Sequence, residues 1–287
     1  MPWRACLSLG IGLMALCTAA AAAEKFILEP MPRRAGGFRV MGNVQSADAK
    51  VWPATFKFSV GPNCTATAVG PRVLITAAHC LPGTLTSGSL KDPSIDPQNP
   101  VYVDIVCAKH PDYVDDAHSP STVFDVALCL ASKPQTARTE AQIVLPPNKP
   151  YERIAVQNAE LNASDFTLIG FGCHQLYGSS GDDLWKGTAS RGDGADPSGY
   201  LAVKGDSWLC EGDSGGAAYF EKAPQRSIVA LNSRVNSDSH LSLLAPMNDA
   251  RIVAFMKSWV ADRKREGEVN LGICGLDSTL PRSMCHS

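Results

Sequence analysis

The chain has 287 residues, 45 % of them hydrophobic and 19 % charged, with a formal net charge of −2. This is the composition of an ordinary globular protein with enough length to bury a core, as one unit of two sub-domains or as two small domains, and it excludes a disordered or fibrous chain. Near-neutral charge and the lack of any run of Lys or Arg give no electrostatic footprint for nucleic acid or for an anionic membrane.

In chain order, Arg4 precedes an apolar stretch from Cys6 to Leu16, and Ala19 to Ala23 supply small residues for cleavage. Residues 1–23 therefore read as a secretory signal ending near Ala23. A membrane span would need roughly 20 apolar residues, and bulky Leu16 before Cys17 argues against a lipid-modified cysteine. Residues 24–39 are polar, with Arg and Pro and no clear period. Short runs rich in Val, Ile, Leu and Thr then predict strands at Thr65–Val69, Val73–Ala78, Val101–Ala108, Val126–Leu130, Phe166–Phe171, Gly215–Phe220 and Ser227–Ser233. Many short strands without alternating helices favour an all-β sandwich or barrel. Leu145-Pro146-Pro147-Asn148-Lys149-Pro150 cannot continue a sheet and reads as a linker. Segments 81–99 and 177–200, rich in Gly, Ser, Asp and Pro, are expected as surface loops. The tripeptide Arg191-Gly192-Asp193 in the second carries no functional weight. Near the end, Asn248 or Asp249 can cap a helix with Ile252, Met256, Trp259 and Val260 on one apolar face.

Three segments carry chemistry. Leu74-Ile75-Thr76-Ala77-Ala78-His79-Cys80 runs a strand into a small-residue turn that presents His79. Phe124-Asp125-Val126-Ala127-Leu128 sets a lone acid before an apolar strand, and Cys210-Glu211-Gly212-Asp213-Ser214-Gly215-Gly216 surrounds a serine with glycines. A serine hydroxyl attacks only when a neighbouring imidazole takes its proton, and the imidazole needs a buried carboxylate to fix its tautomer. His79, Asp125 and Ser214 suit those parts, and the amides of Gly212 and Ser214 can face a developing oxyanion.

With these motifs in the order His, Asp, Ser, the sequence resembles the chymotrypsin and trypsin family over about residues 40 to 262. The resemblance implies an all-β fold of two packed antiparallel β-barrels, with the active site in the cleft between them and a helix at the C-terminus. On that pattern residues 24–39 are a propeptide, 40–145 the first barrel, 146–150 the linker, 151–262 the second barrel with the helix, and 263–287 a tail. Cleavage after Arg39 would free Val40, whose amino group would pair with Asp213, although Asn43 stands where the family has glycine. The family pattern also places Trp208 at the base of the primary pocket where trypsin-like specificity needs an acid. Asp206 could replace that acid only if the loop bulges. Glu211 lies at the rim, Ser233 matches the serine behind the triad, and Arg234 and Val235 depart from the usual Trp and Gly.

Of ten cysteines, Cys6 and Cys17 lie in the signal, and an even remainder in an exported chain points to disulfides. The resemblance pairs Cys64 with Cys80 and Cys107 with Cys129. It leaves Cys173 as the candidate for Cys210, and Cys274 with Cys285 to close the tail. No Cys-x-x-Cys pair stands beside suitably spaced His, so no metal is expected, and no organic cofactor is implied. His110, His118, His174, His240 and His286 are scattered and read as surface or structural residues. Asn63-Cys64-Thr65 and Asn162-Ala163-Ser164 are acceptor triplets only in a glycosylating host. The function expected is a secreted serine endopeptidase, extracellular or periplasmic, acting on protein or peptide, with an activating protease as a further expected partner. The alternatives are a non-catalytic protease-like binding protein, or an esterase or narrow processing enzyme with the same triad.

Overall fold

The structure, a computed structural model, describes residues 26–30, 41–48, 50–92, 101–116, 119–131, 151–173, 183–192, 196, 198–236 and 238–286. The signal at 1–23, Arg39 and Val40 at the cleavage junction, the linker at 146–150, His118, His174 and Asp193 lie outside the described residues.

In chain order the strands are β1 (Phe26–Pro30), β2 (Met41–Gly42), β3 (Val44–Ser46), β4 (Thr55–Val60), β5 (Thr65–Gly70), β6 (Val73–Thr76), β7 (Leu85–Asp92), β8 (Val101–Lys109) and β9 (Ala127–Ala131). A short helix α1 (Asn158–Leu161) precedes β10 (Asp165–Gly170), β11 (Trp185–Arg191), β12 (Leu201–Lys204), β13 (Ser207–Trp208), β14 (Ala217–Lys222), β15 (Gln225–Asn236) and β16 (Leu241–Pro246), and α2 (Ala250–Arg265) follows. The first barrel closes in the order β1, β4, β5, β6, β9, β8, β7. The second runs β10, β14, β15, β16, β12, β11 and closes through β10 pairing with β11, while β3 adds to the outer side of β11. All-β architecture in two barrels is thus as expected. The departure is β1, which pairs antiparallel with β4 and parallel with β7.

Every residue of β5, β6 and β9 is buried, because one side of these strands fills the first barrel and the other meets the second. Phe56, Ala66, Leu74, Ile105 and Cys129 pack inside the first barrel; Phe166, Leu168, Val203, Val229 and Leu244 pack inside the second. A third cluster joins them, with Val69, Val73, Ile75 and Leu128 against Ile169, Phe171, Ala217, Tyr219 and Ile228. This shared core fixes the relation of the two barrels and hence the cleft between them. Helix α2 seats Ile252, Met256, Trp259 and Val260 on it, and Asp249 caps the helix by accepting from the N–H of Arg251 at 2.8 Å. The four disulfides are Cys64–Cys80, Cys107–Cys129, Cys173–Cys210 and Cys274–Cys285.

Two segments read as loops are in part strands: β7 falls within 81–99, and β11 with its pairing to β10 falls within 177–200. The C-terminal segment is bound back onto the barrels. Cys274 donates its N–H to Val69 O and its carbonyl accepts from Ile154, both at 2.8 Å, and His286 and Met284 bracket Tyr151. Buried Arg72 reaches the same segment through Val269 O at 2.9 Å and Glu268 at 2.7 Å.

Candidate active site

Strand β6 delivers the chain into one tight turn, Ala78–Cys80, whose flanks are buried while His79 is only partly covered. The Cys64–Cys80 disulfide anchors that turn to β5. From the other side, a turn at Pro120–Phe124, capped by Ser119, ends at Asp125, which is fully buried. The Asp125 carboxylate accepts from the His79 backbone N–H at 2.8 Å through Oδ1, and its Oδ2 lies 2.6 Å from His79 Nδ1. Ser233 Oγ donates to the same Oδ2 at 2.5 Å. Burial pushes this carboxyl up, but hydrogen bonding and charge from His79, with Ser233, outweigh it and hold Asp125 below the usual carboxylate range. A carboxylate can only accept, so Nδ1 carries the proton and Nε2 is left as the base.

Ser214 sits in a loop stapled to the histidine side of the cleft. Its carbonyl accepts from Thr65 N–H at 2.7 Å, and Cys80 Sγ approaches that oxygen to 3.7 Å. Thr65 Oγ1 donates to Gly212 O at 2.8 Å and accepts from Phe171 N–H at 3.1 Å, while Thr76 donates to Thr65 O. Gly212 and Gly215 take φ of 100° and 77°, which a side chain would resist, and this turns the loop tightly about Ser214. Among the described residues the N–H groups of Gly212 and Ser214 donate to no protein group. Gly212 is buried and Ser214 partly so, and their amides are the two donors expected to face an oxyanion. The Ser214 hydroxyl likewise makes no hydrogen bond among the described residues.

The family model described as Trypsin matches residues 40–250, well over half of the chain. The chain belongs to the trypsin family. No curated protein matches it. As a trypsin-family domain it is in general a serine protease hydrolase, for which protein is the substrate class.

Asp213, next to Ser214 in this trypsin-family chain, is buried, with 1 % exposure. Cys210 N–H donates to its Oδ2 at 2.9 Å and Gly172 N–H to its Oδ1 at 2.8 Å. Gly172 is required by close approach: a Cβ there would lie 2.3 Å from a carboxylate oxygen. Burial raises this carboxyl to about 7, against lowering by the two backbone donors, and among the described residues no cation pairs with it. Sequence reasoning found Asp213 but not its glycine cradle, nor Thr65 as the staple.

Of the residues expected at the substrate pocket, Trp208 lies flat on His240, with ring centroids 3.7 Å apart and planes within 5°. Its backbone pairs with Met41 across β2 and β13, next to buried Ser207, whose hydroxyl donates to Asn43 O at 2.9 Å. Asp206 lines a separate polar groove of about 380 Å³ with Asn43, Gln45, Lys186 and Ser190, none of which belongs to the serine loop. Glu211 is exposed and accepts from Asn63 Nδ2 at 3.1 Å. Arg234 reaches Asp115 at 3.3 Å, and Val235 is half-buried. Tyr200, which sequence reasoning missed, donates to Thr122 O at 2.6 Å and lies 3.4 Å from Ser233 Oγ, holding the serine behind Asp125. His110 is buried against Phe124 and is structural. Cys64, His79 and Cys80 lie close together, but both sulfurs are spent in a disulfide and cannot act as thiolate ligands.

Proposed function

We propose that the protein is a secreted serine endopeptidase, made as a zymogen that is cut after Arg39. Ser214 Oγ attacks the scissile carbonyl as His79 Nε2 takes its proton. Asp125 holds the imidazole in that tautomer and stabilises the imidazolium, and the amides of Gly212 and Ser214 bind the oxyanion. The imidazolium then protonates the leaving amine, and water repeats the sequence on the acyl-enzyme. The observation that carries this reading is the pair of hydrogen bonds from His79 to the buried Asp125 carboxylate, backed by Ser233.

Zymogen activation is supported by Asp213, a buried carboxylate without a cation among the described residues. A freed Val40 ammonium would supply the charge such a group needs. Export is supported by the four disulfides, which persist in oxidising compartments. No helix among the described residues is long and apolar enough to cross a membrane.

A fluorophosphonate probe tests the reading, applied to the chain before and after cleavage at Arg39, with Ser214→Ala as control. Labelling of the cut chain alone supports enzyme and zymogen together. Labelling of the uncut chain removes the zymogen and keeps the enzyme. Absence of labelling in both overturns the enzyme and leaves a protease-like binding protein.

A further inference from the structure

We infer that β1, Phe26–Pro30, is a permanent strand of the first barrel, held in a seam between β4 and β7 that binds it even when the chain is cut downstream of it. Strand β1 is paired on both sides. Leu28 is in register with Phe58 and Pro30 with Phe56 on β4, while Phe26 pairs with Gly88 and Leu28 with Leu90 on β7. Removing it would leave two edges unpaired and open the barrel. Its alternate residues point inward: Phe26 is 1 % exposed and Leu28 fully buried, with Ile27 between them only half-buried. Phe26 packs on Phe58 with centroids 5.2 Å apart.

The seam is shaped for that side chain. A Cβ on Gly88 would lie 2.6 Å from the Phe26 ring and 2.7 Å from its carbonyl, and a Cβ on Gly61 would lie 3.0 Å from Phe26 Cβ. Gly88 on β7 and Gly61 just beyond the end of β4 thus clear the space that one aromatic residue fills. The occupant is extended, with large apolar side chains at alternate positions, and is supplied by residues 24–39 of the same chain. No cysteine lies in that segment, so pairing and burial alone would retain it after a cut.

The strand itself is independent of activation; that it persists in the active molecule rests on the proposed cut after Arg39. The test therefore uses a full chain with a site for a highly specific protease inserted between Gly36 and Gly37. After cleavage, gel filtration under native conditions followed by denaturing mass spectrometry reads whether the N-terminal fragment travels with the remainder. Co-elution supports the seam, and release overturns it, whether or not Arg39 is ever cut. Phe26→Ala, compared after the same cleavage, is expected to weaken retention roughly 100-fold. Equal retention of that variant would overturn the assignment of Phe26 as the anchor. Probe labelling after Arg39 cleavage remains a separate readout, so a failed zymogen and a failed seam give different results.

Discussion

Asp125 faces the hardest chemical demand of any residue in the site, because it is a fully buried charge that must stay ionised. Three hydrogen bonds from His79 and Ser233 hold it there, and Asp125→Asn would keep the shape while reversing the tautomer of His79. Turnover is expected to fall about 10⁴-fold, measured as kcat on a peptide substrate; a loss under about tenfold would contradict the role. Asp213 makes the opposite case. Its carboxyl titrates near 3.8 when unperturbed and at about 7 in the folded, uncut chain. The folded state keeps the proton longer, so this residue's contribution to stability falls as pH rises from about 4 to about 7, by on the order of 4 kcal/mol. The difference between wild type and Asp213→Asn in denaturant midpoints across that window should carry this slope. Cutting after Arg39 should remove it, since a paired ammonium lowers the carboxyl. Trp208, stacked on His240, is the residue that the family pattern puts at the base of the primary pocket. Trp208→Ser is expected to raise kcat/KM for bulky side chains at the cleaved bond by ~10-fold or more, and an unchanged substrate profile would remove Trp208 from the pocket.

At the level of elements, a buried ion pair ties the barrels where the linker ends. Arg226 on β15 donates to Glu152 at 2.5 and 3.0 Å and to Val51 O at 2.7 Å, and its guanidinium lies 3.8 Å over Trp52. Glu152→Ala would strand a buried cation, and a loss of about 3–5 kcal/mol in denaturant unfolding is expected; a loss under ~1 kcal/mol would mean that the pair is not what joins the halves. Sequence reading found the strands that are buried on both faces, such as β5, β6 and β9, because they are short uncharged runs rich in Val, Ile, Leu, Ala and Thr. It missed β7 (Leu-Thr-Ser-Gly-Ser-Leu-Lys-Asp) and β11 (Trp-Lys-Gly-Thr-Ala-Ser-Arg), whose polar outer faces and central glycines imitate loops. It also left β1 within a stretch without period, since a five-residue strand with two inward side chains gives too little pattern. His79, Asp125 and Ser214 stood out in the sequence because acyl-transfer chemistry dictates their types. Thr65 and Gly172 act through backbone geometry, which no local motif announces.

For the whole molecule, the shared core sets one barrel against the other, and segments from both ends of the chain reinforce the first barrel. Strand β1 closes that barrel, and the segment carrying Cys274 and Cys285 bonds to β5 and to Tyr151 beyond the linker. The cleft therefore lies in a framework whose parts are distant in sequence, and the catalytic claim depends on His79, Asp125 and Ser214 acting as one unit within it. Hydrolysis of an unfolded protein substrate by the chain cut after Arg39, compared with the same preparation of Ser214→Ala, measures this most directly. The substitution is expected to lower turnover on the order of 10⁶-fold; a Ser214→Ala protein that cleaves the substrate at nearly the wild-type rate would contradict the account.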